Sequence, residues 1–345
     1  MTTDLRDVLR EQLDSLPTPP GDLDRVHAAG TTLRRRRVAA VGAVSVLAVA
    51  AVLLGFAISG SGGPQTERGI DPIGQLDFSN GLRAYADPGR VIHIGDREIP
   101  APLLDNLDVE AVATPYGILY YDSGFPALLE GSGEVNGLEE GAGPVGGRPT
   151  ASVDAQHPWV AYATTRDGDP QVVVRDLSSG EVVARRVVDA GTQIDALDDG
   201  VVFLRTPVGT STWDVGTDEV QELAGRRTSV ADVRKGVLLY DGPAPAGPAA
   251  AAYHLVPGAI DAQLTYDGGH VLYWSNRLES TDGGRPIVLD QKAAFFAVDT
   301  DGSILAATSG SPARFYDCEV PSGRCTSLGS LEMTGGDPMF VGTDM

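Results

Sequence analysis

The sequence predicts an all-β protein, a β-propeller, behind one N-terminal transmembrane helix. A short strand–turn–strand pattern recurs six times at intervals typical of propeller blades, which predicts the propeller. An uncharged apolar run precedes the copies and predicts the helix. Each copy is an apolar strand, a turn rich in Gly, Asp or Pro, and a second strand dense in Val, Leu, Ile and Tyr. The copies start at Val109, Ala151, Thr192, Thr228, Ala262 and Ala294.

The spacing of the copies sets the number of blades. Their second strands begin 33 to 42 residues apart, at Ile118, Trp159, Val201, Val237, Val271 and Ile304. A weaker copy spans Gly81 to His93, with Val91 and Ile92 at the place of the second strand. Counting this unit, seven blades are favoured, and six are the alternative. We expect residues near Ile73 to Ala86 to close the ring with the C-terminal end.

Several copies continue into a second hairpin, so that each unit offers about four strands, the content of one blade. In three of these hairpins an Asp precedes a polar turn that contains a Gly. Asp can accept hydrogen bonds from turn amides, and Gly accepts a positive φ. The aspartates are Asp176, Asp214 and Asp317, and the glycines are Gly180, Gly216 and Gly323.

Trp213-Asp214 matches the Trp-Asp dipeptide of WD repeats. From about residue 75 to 340 the chain resembles the WD-repeat and related propellers of secreted bacterial proteins. The other units lack the dipeptide and its preceding Gly-His, so the resemblance implies a WD-repeat-like propeller. Only Lys235 and Lys292 are lysines while Arg is plentiful, and this excess of Arg over Lys resembles the composition of actinobacterial proteins.

Residues Val38 to Ile58 carry no charge and predict a transmembrane helix. At 1.5 Å per residue they would span roughly 30 Å, the thickness of a bilayer core. Because Arg34, Arg35, Arg36 and Arg37 lie on the N-terminal flank, the N-terminus is expected in the cytoplasm and the propeller, residues 73–345, outside the cell. Residues 59–72 form the expected linker. A cleavable signal peptide, cut near Ala57 and Ser59, is the alternative.

The cytoplasmic stub, residues 1–37, contains a predicted amphipathic helix that ends before Pro17. Its apolar stripe could dock on a cytoplasmic protein, with the membrane surface or disorder as alternatives. The stub resembles the N-terminal segments of actinobacterial membrane proteins associated with sigma-factor regulation. With His27 its only His and no Cys, it lacks the zinc signature of anti-sigma factors. The stripe comprises Leu5, Val8, Leu9, Leu13 and Leu16.

The charge of the chain limits its partners. The formal net charge is −21, and beyond residue 37 there are 19 basic against 41 acidic residues, about −22. So acidic a domain would repel a phosphate backbone, which argues against nucleic-acid binding by the propeller. Solubility is the simpler role of the acidity, and attraction of a cationic partner is the alternative.

The two cysteines, Cys318 and Cys325, flank the turn from Val320 to Gly323. Thiols oxidise outside the membrane, so a structural disulfide is expected. A tight hairpin loop would set the two residues directly opposite each other, whereas a turn with a Gly bulge would shift the register and point them apart.

Two low-complexity insertions, Gly131 to Arg148 and Pro243 to Ala250, predict extended loops on the rim. The first contains Gly141 to Gly146, which fits the dinucleotide pattern G-x-G-x-x-G. Pro144 and the flanking glycines offer no helix whose N-terminus could hold a pyrophosphate, so the match is interpreted as a false positive.

No motif assigns a catalytic residue, a cofactor or a metal site. Asp299 to Ser303 and Asp167 to Asp169 resemble the start of calcium loops, but both fall where blade turns are expected, and the EF-hand pattern fails after Asp299. Near the repeat turns lie His157, His254 and His270, which are interpreted as surface residues. Their convergence in the channel is the alternative.

These observations predict a membrane-anchored, extracytoplasmic propeller that acts as a non-enzymatic binding or sensing module. Its ligand is expected to be a protein, a peptide or a cell-wall component, and its stub could relay binding to a cytoplasmic regulator. The alternatives are a propeller hydrolase or lyase with a channel site, and a purely structural envelope component. A catalytic site would need several titratable groups near one point.

Overall fold

The computed structural model describes residues 81–87, 91–95, 97–100, 111–139, 145, 150–259, 262–273, 275–333 and 337–341. The predicted stub, its Arg block, the membrane span and the linker lie outside these residues. None of the described residues forms a helix with the length and hydropathy that a membrane span requires.

The described strands form seven sheets, which confirms the seven-blade propeller. Blades 1 to 7 follow the order of the chain. The strands of blades 1 to 3 are β1 (Ala84–Asp87), β2 (Val91–Ile94) and β3 (Arg97–Pro100); β4 (Val112–Thr114), β5 (Gly117–Asp122), β6 (Phe125–Leu129) and β7 (Val135–Gly137); β8 (Ala151–Val153), β9 (Trp159–Arg166), β10 (Asp169–Asp176) and β11 (Val182–Val187).

Blades 4 and 5 contain β12 (Gln193–Asp198), β13 (Val201–Thr206), β14 (Gly209–Asp214) and β15 (Glu219–Gly225); β16 (Ser229–Arg234), β17 (Val237–Asp241) and β18 (His254–Pro257). Blades 6 and 7 contain β19 (Gln263–Leu264), β20 (His270–Leu272), β21 (Arg277–Ser280) and β22 (Ile287–Val288); β23 (Phe295–Val298), β24 (Ile304–Ala307), β25 (Ala313–Cys318) and β26 (Cys325–Leu331). The last strand is β27 (Met339–Phe340).

The apolar residues of the repeated strands form seven core clusters, each between two adjacent blades. Successive residues of a strand point to opposite faces, so a strand between two blades must be apolar on both faces. In blade 3, for example, Val160 packs toward blade 2 and Ala161 toward blade 4, and both are fully buried. The first strands of neighbouring blades lie side by side around the channel.

Ring closure joins the two ends of the described chain. Strand β27 pairs with β1, Tyr85 opposite Phe340 and Ala86 opposite Met339, and becomes the first strand of blade 1. The predicted closure is therefore confirmed for Ala84 to Ala86. The interpretation of Gly81 to His93 as a first-and-second-strand hairpin was wrong, because β1 and β2 are the second and third strands of their sheet.

Blade 5 departs from the predicted four strands. It has three in the described residues, and β18 runs parallel to β17 because a long connection replaces the usual hairpin turn. The predicted extended loop Pro243 to Ala250 forms part of this connection. Its second half enters the 3-10 helix Pro248–Ala252, and Ala249 and Ala250 are buried in the core between blades 4 and 5.

The insertion Gly131 to Arg148 also differs from a plain rim loop, since part of it is β7, the outer strand of blade 2. The side chain of its Glu139 is buried and forms ion pairs with Arg175 and Arg185 of blade 3. The G-x-G-x-x-G segment lies almost entirely outside the described residues, which include Val145 alone.

The disulfide between Cys318 and Cys325 is confirmed, and the two residues pair directly across β25 and β26. The turn role of Asp176 and Asp214 is confirmed, because Asp176 accepts from the amide of Ser178 at 2.8 Å and Asp214 from that of Thr217 at 2.8 Å. For Asp317 the predicted role as an acceptor for turn amides was wrong.

Asp317 instead accepts from Nη2 of Arg83 at 2.7 Å and so ties blade 7 to blade 1. The turn glycines also differ. Gly180 and Gly323 have positive φ, but in the turn after Asp214 the residue with positive φ is Asp218, and Gly216 is not among the positive-φ glycines.

Candidate functional site at the two ends of the propeller

The propeller has two chemically different ends. We call the end that carries the turns between the first and second strands of blades 3 to 7 the turn end; these turns are residues 154–158, 199–200, 235–236, 265–269 and 299–303. The pocket end is the opposite one, where β15 leads into β16 and where β17 ends.

Buried aspartates at the turn end bind the neighbouring blade. Asp198 of blade 4 accepts from the amides of Lys235 and Gly236 of blade 5, at 2.8 and 2.9 Å. Asp154 of blade 3 accepts in the same way from Gly200 of blade 4 at 2.9 Å. Because each carboxylate satisfies amides that would otherwise be buried and unpaired, these aspartates hold blades together.

The same arrangement continues around the ring. Asp232 of blade 5 accepts from Leu264 of blade 6 at 2.9 Å, and the amide oxygen of Gln263 accepts from Val298 of blade 7 at 3.2 Å. Five consecutive blades thus present a side-chain acceptor to the next blade, the fifth being blade 7 with Asp299.

Asp299 accepts from the amides of Leu82 at 2.9 Å and Arg83 at 2.8 Å, both in blade 1. Burial raises its pKa, and the backbone hydrogen bonds oppose that rise. Asp301, in the same turn, accepts from Ser303 at 2.9 Å. The interpretation of this segment as a blade turn is confirmed. Asp167 and Gly168, both with positive φ, likewise form the hairpin turn between β9 and β10.

Arg234 crosses the turn end. Its Nη1 donates to the carbonyl oxygen of Val153 in blade 3 at 3.0 Å, and its Nε lies 3.3 Å from Oδ1 of Asp232. Its Cζ lies 5.5 Å from the ring centroid of Tyr266 in blade 6. Burial alone would lower the pKa of Arg234, but the surrounding groups, Asp232 first, raise it, so the side chain is a permanent cation. It links three blades around the channel.

The histidines do not form a site at this end. His157 lies 3.3 Å from Oδ2 of Asp154 and stacks on Trp159, whereas His254 lies in β18 with Nε2 3.3 Å from the carbonyl oxygen of Thr281. His270 belongs to β20, and its Nδ1 is buried without a hydrogen-bond partner in the described chain. Within the described ranges no group of three or more His, Cys, Asp or Glu could hold a metal ion.

A pocket of about 630 Å³ opens at the pocket end, between blades 4 and 5. We call it the blade 4–5 pocket. One side is the connection from β15 to β16, and the other is the start of the long connection that follows β17. Its lining consists of Glu222, Ala224, Gly225, Arg226, Arg227, Thr228, Pro243, Ala244, Ala246, Gly247 and Pro248.

The two sides of the pocket are fastened to each other. Oγ1 of Thr228 donates to the carbonyl oxygen of Pro243 at 2.7 Å, and the amide of Gly247 donates to the carbonyl oxygen of Leu223 at 2.9 Å. A Cβ on Gly247 would collide with the backbone carbonyl of Glu222, so only Gly permits this approach. The pocket is therefore part of the folded structure.

Arg226 and Arg227 are exposed at this pocket, and in the described part of the chain their guanidinium groups have neither a hydrogen bond nor an ion pair. Several other arginines of the propeller are paired, although Arg285, Arg314 and Arg324 are also exposed and without a side-chain partner in the described residues. Arg175 and Arg185 share Glu139, for example, and Arg186 meets Asp218 at 2.6 Å. The blade 4–5 pocket therefore carries two adjacent cations that are available to a ligand.

Buried polar atoms without partners lie on the same side of blade 4. Asp195 has a 2 % exposed side chain, and its Oδ2 has no hydrogen-bond partner among the described residues. Its Oδ1 lies 2.9 Å from Nε of Arg205. Burial raises the pKa of Asp195 to about 7, and Arg205 opposes that rise. Thr210, opposite Arg205 in the sheet, also has a buried hydroxyl without a hydrogen-bond partner in the described chain.

These groups face blade 5. Phe203, two residues before Arg205 on β13, packs in the core between blades 4 and 5, and alternate residues of a strand share a face. Thr210 pairs with Ala224, which belongs to the same core and lines the pocket. The side of blade 4 that carries the pocket is therefore also the side with unsatisfied polar atoms.

No protein-family model and no curated protein matches the chain. Similar solved structures include TolB from Acinetobacter baumannii, at 16 % identity and a TM-score of 0.37, where the match covers 74 % of this chain and 65 % of TolB. Kluyveromyces lactis Hsv2 matches at 12 % identity and a TM-score of 0.37, and the match covers 61 % of this chain and 72 % of the Hsv2 chain. A prolyl endopeptidase matches at 14 % identity and a TM-score of 0.41, and the match covers 74 % of this chain and 51 % of the endopeptidase chain.

This chain spans less than two thirds of the TolB chain. All three TM-scores lie below 0.5, so these likenesses carry no argument about function. The propeller assignment follows from the strands of this chain.

Sequence reasoning missed the groups that define both ends of the propeller. The interblade aspartates recur in the repeats, just before or within the turn, as Asp154, Asp198, Asp232 and Asp299, and that recurrence could have indicated their role. The Arg226–Arg227 doublet stands out in an acidic domain, but its closeness to Pro243 depends on tertiary folding.

Proposed function

We propose that this protein is a binding module whose propeller holds its ligand in the blade 4–5 pocket. The observation that carries the proposal is the pair of guanidinium groups of Arg226 and Arg227, which have no partner among the described residues, in an open pocket of about 630 Å³. That volume lies within the range of ligand pockets, roughly 300–1,000 Å³. The aspartates of the turn end, by contrast, already bind backbone amides of adjacent blades.

The proposal includes the topology expected from the sequence. In it, Val38 to Ile58 anchor the chain in a membrane, the Arg block keeps the N-terminus in the cytoplasm, and the propeller meets its ligand outside. Because both cysteines are joined in a disulfide, an oxidising compartment suits the propeller. Cysteine-accessibility labelling of intact cells, with single cysteines introduced at Ser15 and Ser330 of a cysteine-free chain, tests this topology. Labelling of Ser15→Cys from outside would contradict it.

The binding role is tested with the full-length chain in lipid nanodiscs and a phage-displayed library of random peptides. We expect peptides that are enriched over empty nanodiscs and that bind the double variant Arg226→Gln/Arg227→Gln at least tenfold more weakly. The matched control is Arg314→Gln/Arg324→Gln, two exposed arginines of blade 7. No enrichment, or equal binding by the pocket variant, would overturn the proposal.

An enzymatic role has one observation in its favour, the buried Asp195 with a pKa of about 7, in the range that suits general acid–base catalysis. Asp195 lies on β12, the first strand of its blade, and its ion-pair partner is Arg205. A hydrolase or lyase would require this carboxyl for turnover. Loss of a hydrolytic activity toward chromogenic ester and peptide substrates in Asp195→Asn, with pocket binding retained, would favour the enzyme.

A further inference from the structure

The charge of the blade 4–5 pocket differs from that of the domain around it. Arg226 and Arg227 against Glu222 leave the lining with one net positive charge, whereas the chain beyond residue 37 carries about −22. An anionic ligand would be repelled by most of this surface and attracted at this pocket. The local charge therefore selects a place for an anion on an otherwise acidic protein.

Guanidinium groups determine what kind of anion fits. Arg presents its donors in a planar fork that matches a carboxylate or a phosphate with two parallel hydrogen bonds. Arg226 and Arg227, which have no partner in the described part of the chain, can engage two carboxylates, or one carboxylate and a neighbouring carbonyl oxygen. A ligand with closely spaced carboxylates satisfies both side chains.

Apart from Glu222 and Thr228, the rest of the lining consists of short, apolar residues. Pro243, Ala244, Ala246 and Pro248 offer small side chains on the connection that follows β17. The hydrogen bonds of Thr228 and Gly247 hold this wall against blade 4. At about 630 Å³ the pocket is far larger than a single carboxylate or phosphate ion. Its size suits a chain of several residues that lies along the wall.

We infer that the blade 4–5 pocket binds an acidic peptide segment, whose carboxylates pair with Arg226 and Arg227 and whose backbone lies on the proline–alanine wall. This inference rests on the proposed function and names the class of ligand for the same site. Because the contacts are between exposed charges, binding weakens as salt increases.

The test compares two phage-displayed libraries that differ only in carrying Asp and Glu, or Asn and Gln, at the same positions. The target is the full-length chain in nanodiscs. We expect enrichment from the acidic library alone, at least tenfold weaker binding for Arg226→Gln and for Arg227→Gln singly, and a further loss between 50 and 300 mM NaCl. Arg226→Lys retains part of the affinity, because it keeps the charge and loses the fork.

The outcomes separate the inference from the proposed function. Equal enrichment from both libraries, with binding still dependent on the pocket, would overturn the acidic class and leave the binding module standing. Enrichment from neither library would overturn both. If citrate or inorganic phosphate bound at sub-millimolar concentration and displaced no enriched peptide, the occupant would be a small anion and the peptide inference would be wrong. Circular dichroism of each variant checks that it is folded.

Discussion

The turn end and the pocket end of this propeller treat their charged groups in opposite ways. At the turn end, Asp154, Asp198 and Asp299 are almost completely buried, and each accepts hydrogen bonds from backbone amides of the next blade. At the pocket end, Arg226 and Arg227 are exposed and without partners in the described chain. A cluster of charges therefore indicates a binding site only where the fold has not already used them.

The difference has a physical origin. Blade contacts at the turn end bury amides that need acceptors, and a carboxylate two bonds from the backbone is close enough to supply them. At the pocket end the long connection of blade 5 replaces a hairpin turn, and among the described residues no carboxylate or carbonyl oxygen accepts from the donor-only guanidinium groups of Arg226 and Arg227. Charges there are free to face a ligand.

The largest effect is expected at Arg234, which joins three blades at the turn end. We expect Arg234→Met to reduce the free energy of unfolding by about 3–5 kcal/mol, because Asp232 and its neighbours lose their countercharge in a largely buried place. Urea unfolding followed by tryptophan fluorescence measures this. Arg314→Met, an exposed residue of blade 7, is the control and should change stability by less than about 0.5 kcal/mol. Equal effects would mean that Arg234 is not structural.

A smaller effect is expected at Asp195, and it should depend on pH. The pKa of Asp195 is about 7 in the folded protein against an ordinary value of 3.8, so the folded state binds the proton more tightly. The stabilisation of the folded state by protonated Asp195 is fully present below the ordinary pKa of 3.8. It is lost progressively as the pH rises toward and through 7. Between pH 5 and 8 the loss should be roughly 2–3 kcal/mol.

Asp195→Asn removes the proton equilibrium and should flatten this part of the pH profile. Urea unfolding of both proteins at pH 5 and pH 8 gives the comparison. If the variant kept the wild-type slope, protonation of the buried Asp195 would not control this part of the pH profile.

The smallest of the three effects compares two adjacent aspartates. Asp198→Asn replaces one of two acceptor oxygens with an NH₂ group and leaves the amide of Lys235 or Gly236 unpaired, at an expected cost of about 1–2 kcal/mol. Asp199→Asn changes a 68 % exposed side chain next to it and should be nearly neutral. Thermal unfolding of the two variants is sufficient, and a larger loss for Asp199→Asn would refute the interblade role.

Much of the architecture follows from local pattern. The repeated strands predicted the blades correctly because a strand packed between two blades must be apolar on both faces, which composition reveals. The hairpin containing Cys318 and Cys325 was likewise predicted from residues that are neighbours in the sequence. The structure of blade 5 was not predicted, since no pattern in the run Pro243 to Ala250 indicates that its alanines fill the core between two blades.

By itself, then, the sequence determined the repeated strands and predicted the disulfide in its hairpin, because each depends on residues close together in the chain. It favoured seven blades and left six as the alternative, and the structure settled the count, with β27 paired with β1. Only the tertiary structure decided that Arg234 meets Val153, that the buried aspartates serve the next blade, and that Arg226 and Arg227 share a pocket with Pro243 and Pro248. These contacts join residues far apart in sequence. Their partners are set by the rotation from one blade to the next, which a single repeat does not encode.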